Sequence, residues 1–228
     1  MILMKSAEIS LQQVESRLFE VAAELLPTAH DVVGLAACMS ALHDTADELA
    51  GHRQVACAAG CPHCCVLNVS VLLPEAAVIA AWLALKYHGV EREELVRTLL
   101  RQADRVRWME DSERIHRKVV CSFLDKAGRC SIYPVRPLVC RGVTSLDLQA
   151  CCQQFDPSNL DDPEGVPMDA VRKLVIDAAF CALAHALEQH HYSSRSIELS
   201  RGVAAFLEKP ELVQELLSGR SLPAELWD

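Results

Sequence analysis

Seven of the eleven cysteines fall in two short segments. The first runs Cys57-Ala-Ala-Gly-Cys61-Pro-His-Cys64-Cys65, and the second carries Cys121, Cys130 and Cys140. A packed cysteine behaves as a small hydrophobe and sits singly among Leu and Val. Thiols gathered in loops with Gly and Pro point instead to disulfides, catalysis or metal. Thiolates are soft ligands, suited to zinc, cuprous copper and iron–sulfur clusters. The Cys61-x2-Cys64 knuckle serves both zinc and iron–sulfur sites. Cys57-x3-Cys61-Pro62 adds a cysteine followed by proline, as at the end of one four-cysteine iron–sulfur run. Metal or cluster ligation is therefore the main reading of these thiols, with dithiol chemistry at Cys64-Cys65 or Cys151-Cys152 as a weaker alternative.

The joint pattern resembles the YkgJ-like cysteine-cluster family, named for its CxxCxxCC spacing and linked with zinc or iron chelation. The matching positions are Cys57, Cys61, Cys64 and Cys65, with Glu75 opening the next helix. They continue with Cys121-Ser-Phe123-Leu124-Asp125, then Gly128-Arg129-Cys130-Ser131-Ile132-Tyr133, then Arg136-Pro137-Leu138-Val139-Cys140-Arg141. The resemblance runs from about Cys57 to Cys152 and extends to a cysteine after the Arg141 segment, so it implies Cys151 as an eighth ligand. Flagellin lysine N-methylases carry a similar cysteine cluster, which keeps cluster-dependent group transfer in view by analogy.

The totals narrow the class. A chain of 228 residues, 51% hydrophobic, can bury a real core. The net charge of −9 disfavours a nonspecific grip on nucleic-acid phosphates. The longest clean apolar run, residues 76–85, is too short to span a bilayer. No basic stretch precedes an apolar core in residues 1–13, so no signal peptide is expected and a cytoplasmic setting is. An odd cysteine count in a reducing compartment argues against a disulfide scaffold.

Helices must position these loops. Residues 6–26 carry apolar positions at helical spacing, with Ser10 and Gln13 as a capping box and Pro27 as the stop. Thr28 to Asp31 reads as a second capping box before a helix reaching Ala50, with Cys38 packed in its core face and His43 and His52 at the surface. Residues 66–72 alternate as an extended segment. Pro74 then opens a helix that Gly89 stops. Residues 91–119 form one charged helix with Glu93–Arg97, Glu110–Arg114 and Glu113–Arg117 pairs and a solvated basic end. Residues 126–129 make a turn between Cys121 and Cys130. A short helical turn at 146–150 precedes Cys151-Cys152, and residues 157–167 are a polar linker. Residues 168–190 form a helix with Val171, Leu174, Val175, Ala178, Ala182 and His185 on its packed face and Cys181 in the core beside His185. Helices at 196–208 and 210–218 complete the chain.

The expected architecture is mostly α, a single domain over 1–228 of seven or eight helices. A cysteine-cluster region at 53–152 is flanked by helical segments 6–50 and 166–220. The two cysteine segments converge if the helices between them form a hairpin. The ligand set is Cys57, Cys61, Cys64, Cys65, Cys121, Cys130, Cys140 and Cys151, holding an iron–sulfur cluster or zinc. Arg136 and Arg141 balance the charge of the thiolates. Glu75 either complements its helix dipole or faces the metal loop. His63, between two knuckle cysteines, points outward. The expected partner is the metal or cluster, without nucleic acid or membrane. The alternative to a redox or group-transfer role is a structural zinc module that binds a protein partner.

Overall fold

The computed structural model describes residues 10–52, 54–159, 165–220 and 222–227. Among these, ten α-helices and one two-stranded sheet make a mostly α fold. Ser10 and Gln13 close the expected capping box on α1 (Leu11–Leu25), which passes at Pro27 into a 3₁₀ turn. The expected start of this helix at residues 6–9 lies outside the described residues. Asp31, not Thr28, caps α2 (Val32–Ala50): its carboxylate accepts from Gly34 N at 2.8 Å, whereas Thr28 donates back to Leu25 O. Gly51 stops α2 in a left-handed conformation, φ 70°.

The core is built around α3 (Leu73–Ala84). This helix is apolar on nearly every side and is buried along most of its length, as such a helix must be. Helix α2 covers one side and α9 (Leu199–Glu208) another. Helix α9 comes close because it presents Gly202, where a Cβ would lie 3.0 Å from Ala76 Cβ. Helices α1 and α8 (Ala170–Gln189) pack on each other and on α2. Strand β1 (Ser70–Leu72) runs directly into α3 and pairs antiparallel with β2 (Ser196–Glu198), with Val71 opposite Ile197. Residues 196–198, expected as helix, are strand because this pairing satisfies their backbone.

The other departures also trace to long-range packing. Residues 91–119 are two helices, α4 (Gly89–Val106) and α5 (Asp111–His116). The break turns Arg114 inward, where it is buried and donates to Val119 O and Asn68 Oδ1 rather than pairing with Glu110. Glu113–Arg117 forms at 2.8 Å, and Arg97 takes Glu94 at 2.9 Å more closely than Glu93 at 3.9 Å. Gly89 opens α4 instead of closing α3. Helices α3 and α4 do not make the expected hairpin on each other; both pack on α9, which lies between them. Helix α6 (Leu138–Gly142) packs on α8, and α7 (Leu148–Gln154) contains Cys151 and Cys152 rather than preceding them. Helix α8 turns Ile176, Ala179, Leu183 and Ala186 to the core, leaving Leu174, Cys181 and His185 exposed. Helix α10 (Leu212–Leu217) ends near Gly219, as expected.

One carboxylate fastens this core to the second cysteine segment. Glu75, at the third position of α3, is 3% exposed. One oxygen accepts from Leu72 N at 2.9 Å, and the other accepts from Leu138 N at 2.8 Å, the amide that opens α6. Burial pushes its pKa up to about 7 against the pull of those two amides. Both oxygens accept from backbone amides, so Glu75 ties the start of α3 to the helix that carries Cys140. Glu75→Ala leaves two buried amides without acceptors and is expected to lower the unfolding free energy of the metal-free protein by roughly 2–5 kcal/mol; Glu75→Gln, keeping one acceptor, is expected to cost roughly 1–3 kcal/mol. Urea unfolding followed by circular dichroism measures both.

Candidate metal centre

The first cysteine loop has little regular structure of its own. Ala56 N donates to Ser145 O at 2.8 Å, and the Cys57 sulfur accepts from Ser145 N at 3.3 Å. A turn at Gly60, φ 89°, brings Cys61 N to Ala58 O. Pro62 then opens a 3₁₀ turn at His63–Val66 that carries Cys64 and Cys65.

The second segment folds back over the first. Cys121 N donates to Cys65 O at 2.7 Å. Asp125 organises the expected excursion: Oδ1 accepts from Ala127 N and Arg129 N, Oδ2 takes the Arg129 guanidinium at 3.0 Å, and Leu124 bridges to Cys130. At the tip, Gly128, φ 74°, lies against Gly60, so that a Cβ at Gly128 would be 3.1 Å from Gly60 O. The two loops thus touch backbone to backbone through a pair of left-handed glycines.

Cys64, Cys65, Cys121, Cys130 and Cys140 form one group. The adjacent thiols act on each other: Cys65 lowers the Cys64 pKa, and Cys64 raises that of Cys65. Burial pushes Cys121 up to about 11 and Cys140 upward, and in Cys140 the charges of Cys121, Cys64 and Cys130 add to the effect. Arg136 acts the other way: its guanidinium favours the thiolates of Cys64, Cys130 and Cys140 while its plane lies over Tyr133, 5.3 Å from the ring centre. Arg141 has a different job. Its Nε donates to Arg136 O at 2.9 Å and it faces Asp47 at 3.5 Å, which also pairs with Arg172 at 2.7 Å. It ties the loop to α2 and α8, whereas Arg136 acts on the sulfurs through its charge.

Cys57, Cys61, Cys151 and Cys152 adjoin this group, since Cys61 and Cys151 both feel the charge of Cys64. His63, expected to point outward, turns its Nε2 to the Cys152 sulfur at 3.0 Å. Burial, then the neighbouring Cys61, holds Cys151 up at about 12. Cys38 is a core thiol, and Cys181 lies exposed on α8. All eleven cysteines are free thiols.

By donor type these groups suit a soft cation, since metal binding to thiols displaces their protons. Gathered thiols whose ionisation is mutually opposed gain from a cation that removes the repulsion. Among the described residues, no three Cys, His, Asp or Glu side chains stand in ligating geometry, so the sulfurs must draw in on binding.

Behind the Cys140 loop lies a cavity of about 190 Å³ lined by residues including Met39, His43, Val78, Pro134 and Arg141. Its surprise is His43, 8% exposed, with no partner on Nε2. An apolar stretch of α2 with Leu42 and Met39 could have signalled its burial. Burial, then Arg141, lowers its pKa to about 3, so the folded protein keeps a neutral imidazole. Between about 6.5 and 3 the unfolded chain binds the proton that the fold refuses, so this contribution to stability is present above about 6.5 and lost as pH falls. Glu75 slopes oppositely, losing stability as pH rises from 4.5 to about 7. Comparing wild type with His43→Leu isolates the histidine: the variant's unfolding free energy is expected to fall less steeply on acidification across that window, by at most about 1.4 kcal/mol per pH unit.

No curated protein and no solved structure matches the chain. Residues 56–156, the span holding both cysteine loops and α7 and somewhat under half of the chain, match the model of the CxxCxxCC family, described as a "Putative zinc- or iron-chelating domain".

Proposed function

We propose that this protein binds metal through its clustered cysteines, and that the group Cys64, Cys65, Cys121, Cys130 and Cys140 holds iron as an iron–sulfur cluster. The carrying observation is the meeting of the two distant segments, with Cys121 N on Cys65 O and Cys140 within the field of Cys64, Cys121 and Cys130. Five thiols exceed the four that one tetrahedral ion takes. An adjacent pair such as Cys64-Cys65 suits the edge of a cluster better than one small ion. Four thiolates around a typical oxidised four-iron cluster leave a charge near −2 by simple addition, and Arg136 supplies a cation at that place. When bound, such a cluster supplies one-electron chemistry, which fits a redox or cluster-dependent group-transfer role in a reducing, cytoplasmic setting. The chain's own contribution is to fix the thiols: Glu75 holds the start of α6, Arg141 holds the Pro134–Arg136 backbone, and Pro137 restricts the approach to Cys140.

A structural zinc module is the second reading. The observation favouring it is that residues 107–147 contain only short helices, which a metal cross-link would steady. The helical surfaces would then bind a protein partner.

Purification without oxygen decides between them. A coloured protein with iron and acid-labile sulfide is expected, and Cys130→Ser with Cys140→Ser is expected to abolish both. A colourless protein carrying zinc would overturn the iron–sulfur reading, and one carrying no metal would overturn both.

A further inference from the structure

The cavity behind the Cys140 loop is walled by α2, α3 and the loop itself, and the wall has two characters. Met39 on α2, Val78 on α3, and Val135 and Pro137 of the loop make one part apolar. His43, one turn after Met39 on α2, and Arg141 make the polar end. His43 is 8% exposed, and its Nε2 has no partner among the described residues. A buried ring nitrogen left without a hydrogen bond is costly, and a solute in the cavity supplies the missing partner. The field at that end is positive. The Arg141 side chain, 17% exposed, lies 3.5 Å from Asp47, and Asp47 also pairs with Arg172 at 2.7 Å. Two guanidinium groups thus share one carboxylate. The balance reaches His43: burial lowers its pKa most, and Arg141 then lowers it by more than Asp47 raises it. Two further carboxyl groups line the cavity. Glu75 is held by two amides, and Asp44 is exposed beside Ser40 at the mouth, where solvent screens it.

From this arrangement we propose that the cavity binds a small organic monocarboxylate, whose carboxylate accepts from His43 Nε2 and pairs with Arg141 while its apolar body lies against Met39, Val78, Val135 and Pro137. A neutral imidazole has one tautomer with its proton on Nε2, and a carboxylate selects that tautomer. A hydrogen bond to an ionised acceptor is among the stronger kinds, and a guanidinium suits a carboxylate in shape. The size agrees. The cavity holds about 190 Å³, somewhat more than the ~150 Å³ engineered cavity that takes benzene, so a six-membered ring or branched chain with one carboxylate fits. None of the lining residues is a cysteine, so the site does not depend on the metal reading. It does share residues 134–141 with Cys140, so an acid bound there braces the segment that carries that thiol.

Benzoate is the probe, and benzamide is its uncharged counterpart. The full chain is purified without oxygen with carbon-13 in its methionine methyls, and its metal content is read on the same sample. Each compound is titrated in and followed by the methionine-methyl NMR spectrum, in which Met39→Leu identifies the Met39 signal. Benzoate is expected to shift that signal saturably. Benzamide is expected to bind about tenfold more weakly or worse, the difference that one hydrogen bond to a charged group makes. His43→Leu, which keeps an apolar side chain of similar bulk in the wall, is expected to weaken benzoate by about the same factor. The proposal is overturned if benzoate gives no saturable shift of Met39, if benzamide binds as well as benzoate, or if His43→Leu binds benzoate as wild type does. Should that variant lose helix by circular dichroism, the comparison of benzoate with benzamide on wild type decides alone. A sample that carries no metal yet binds benzoate sinks only the metal reading; one that carries metal and ignores benzoate sinks only this proposal.

Discussion

The structure depends on bringing the Cys65 peptide against the Cys121 amide. The contact is a single backbone hydrogen bond of 2.7 Å, yet it closes a loop containing all of α3, α4 and α5. Loop closure costs entropy that grows only slowly with length, so a long excursion of packed helices is tolerated if the ends are held. They are held three times over: by that bond, by the contact of Gly60 with Gly128, and by Glu75 reaching from α3 to the Leu138 amide. Thiols that repel each other as thiolates are thereby kept within reach of one another before any cation arrives, which is the preorganisation that a ligand set needs.

The rest of the fold serves that closure. Helix α3 is buried between α2 and α9, so the base of the excursion cannot drift. Strand β2 pins the residues just before α3 by pairing with β1. Arg141, Asp47 and Arg172 tie the far loop to α2 and α8. With the scaffold carrying these contacts, Arg136 is left to face the sulfurs.

Much of this was legible in the residues. Cysteine spacing is a short-range signal, so the two loops, the turn at 126–129 and the CxxCxxCC likeness could be read directly. So could the capping box at Ser10 and Gln13, the core burial of Cys38 and the mostly helical class. What escaped depends on distant partners. Glu75 looked like an ordinary first-turn carboxylate because nothing near it in sequence reveals the Leu138 amide. His63 was expected to point outward, but Cys152 lies opposite it once α7 docks. His43 was placed at the surface by its polarity, although its neighbours on α2 are core residues. Periodicity ran 91–119 together because charged residues are compatible with helix throughout; only the inward turn of Arg114 shows where it breaks. Arg136 and Arg141 look equivalent in sequence, and only the fold separates them: Arg141 hydrogen-bonds the loop backbone while the charge of Arg136 acts on the thiols.

The most direct measurement maps which thiols resist alkylation in the metal-loaded protein, by peptide mass spectrometry before and after chelation. The account predicts that Cys64 and Cys65 are protected together with Cys121, Cys130 and Cys140, and that a chelator releases all five at once. Protection confined to one of the two segments, or alkylation indifferent to the chelator, would contradict it.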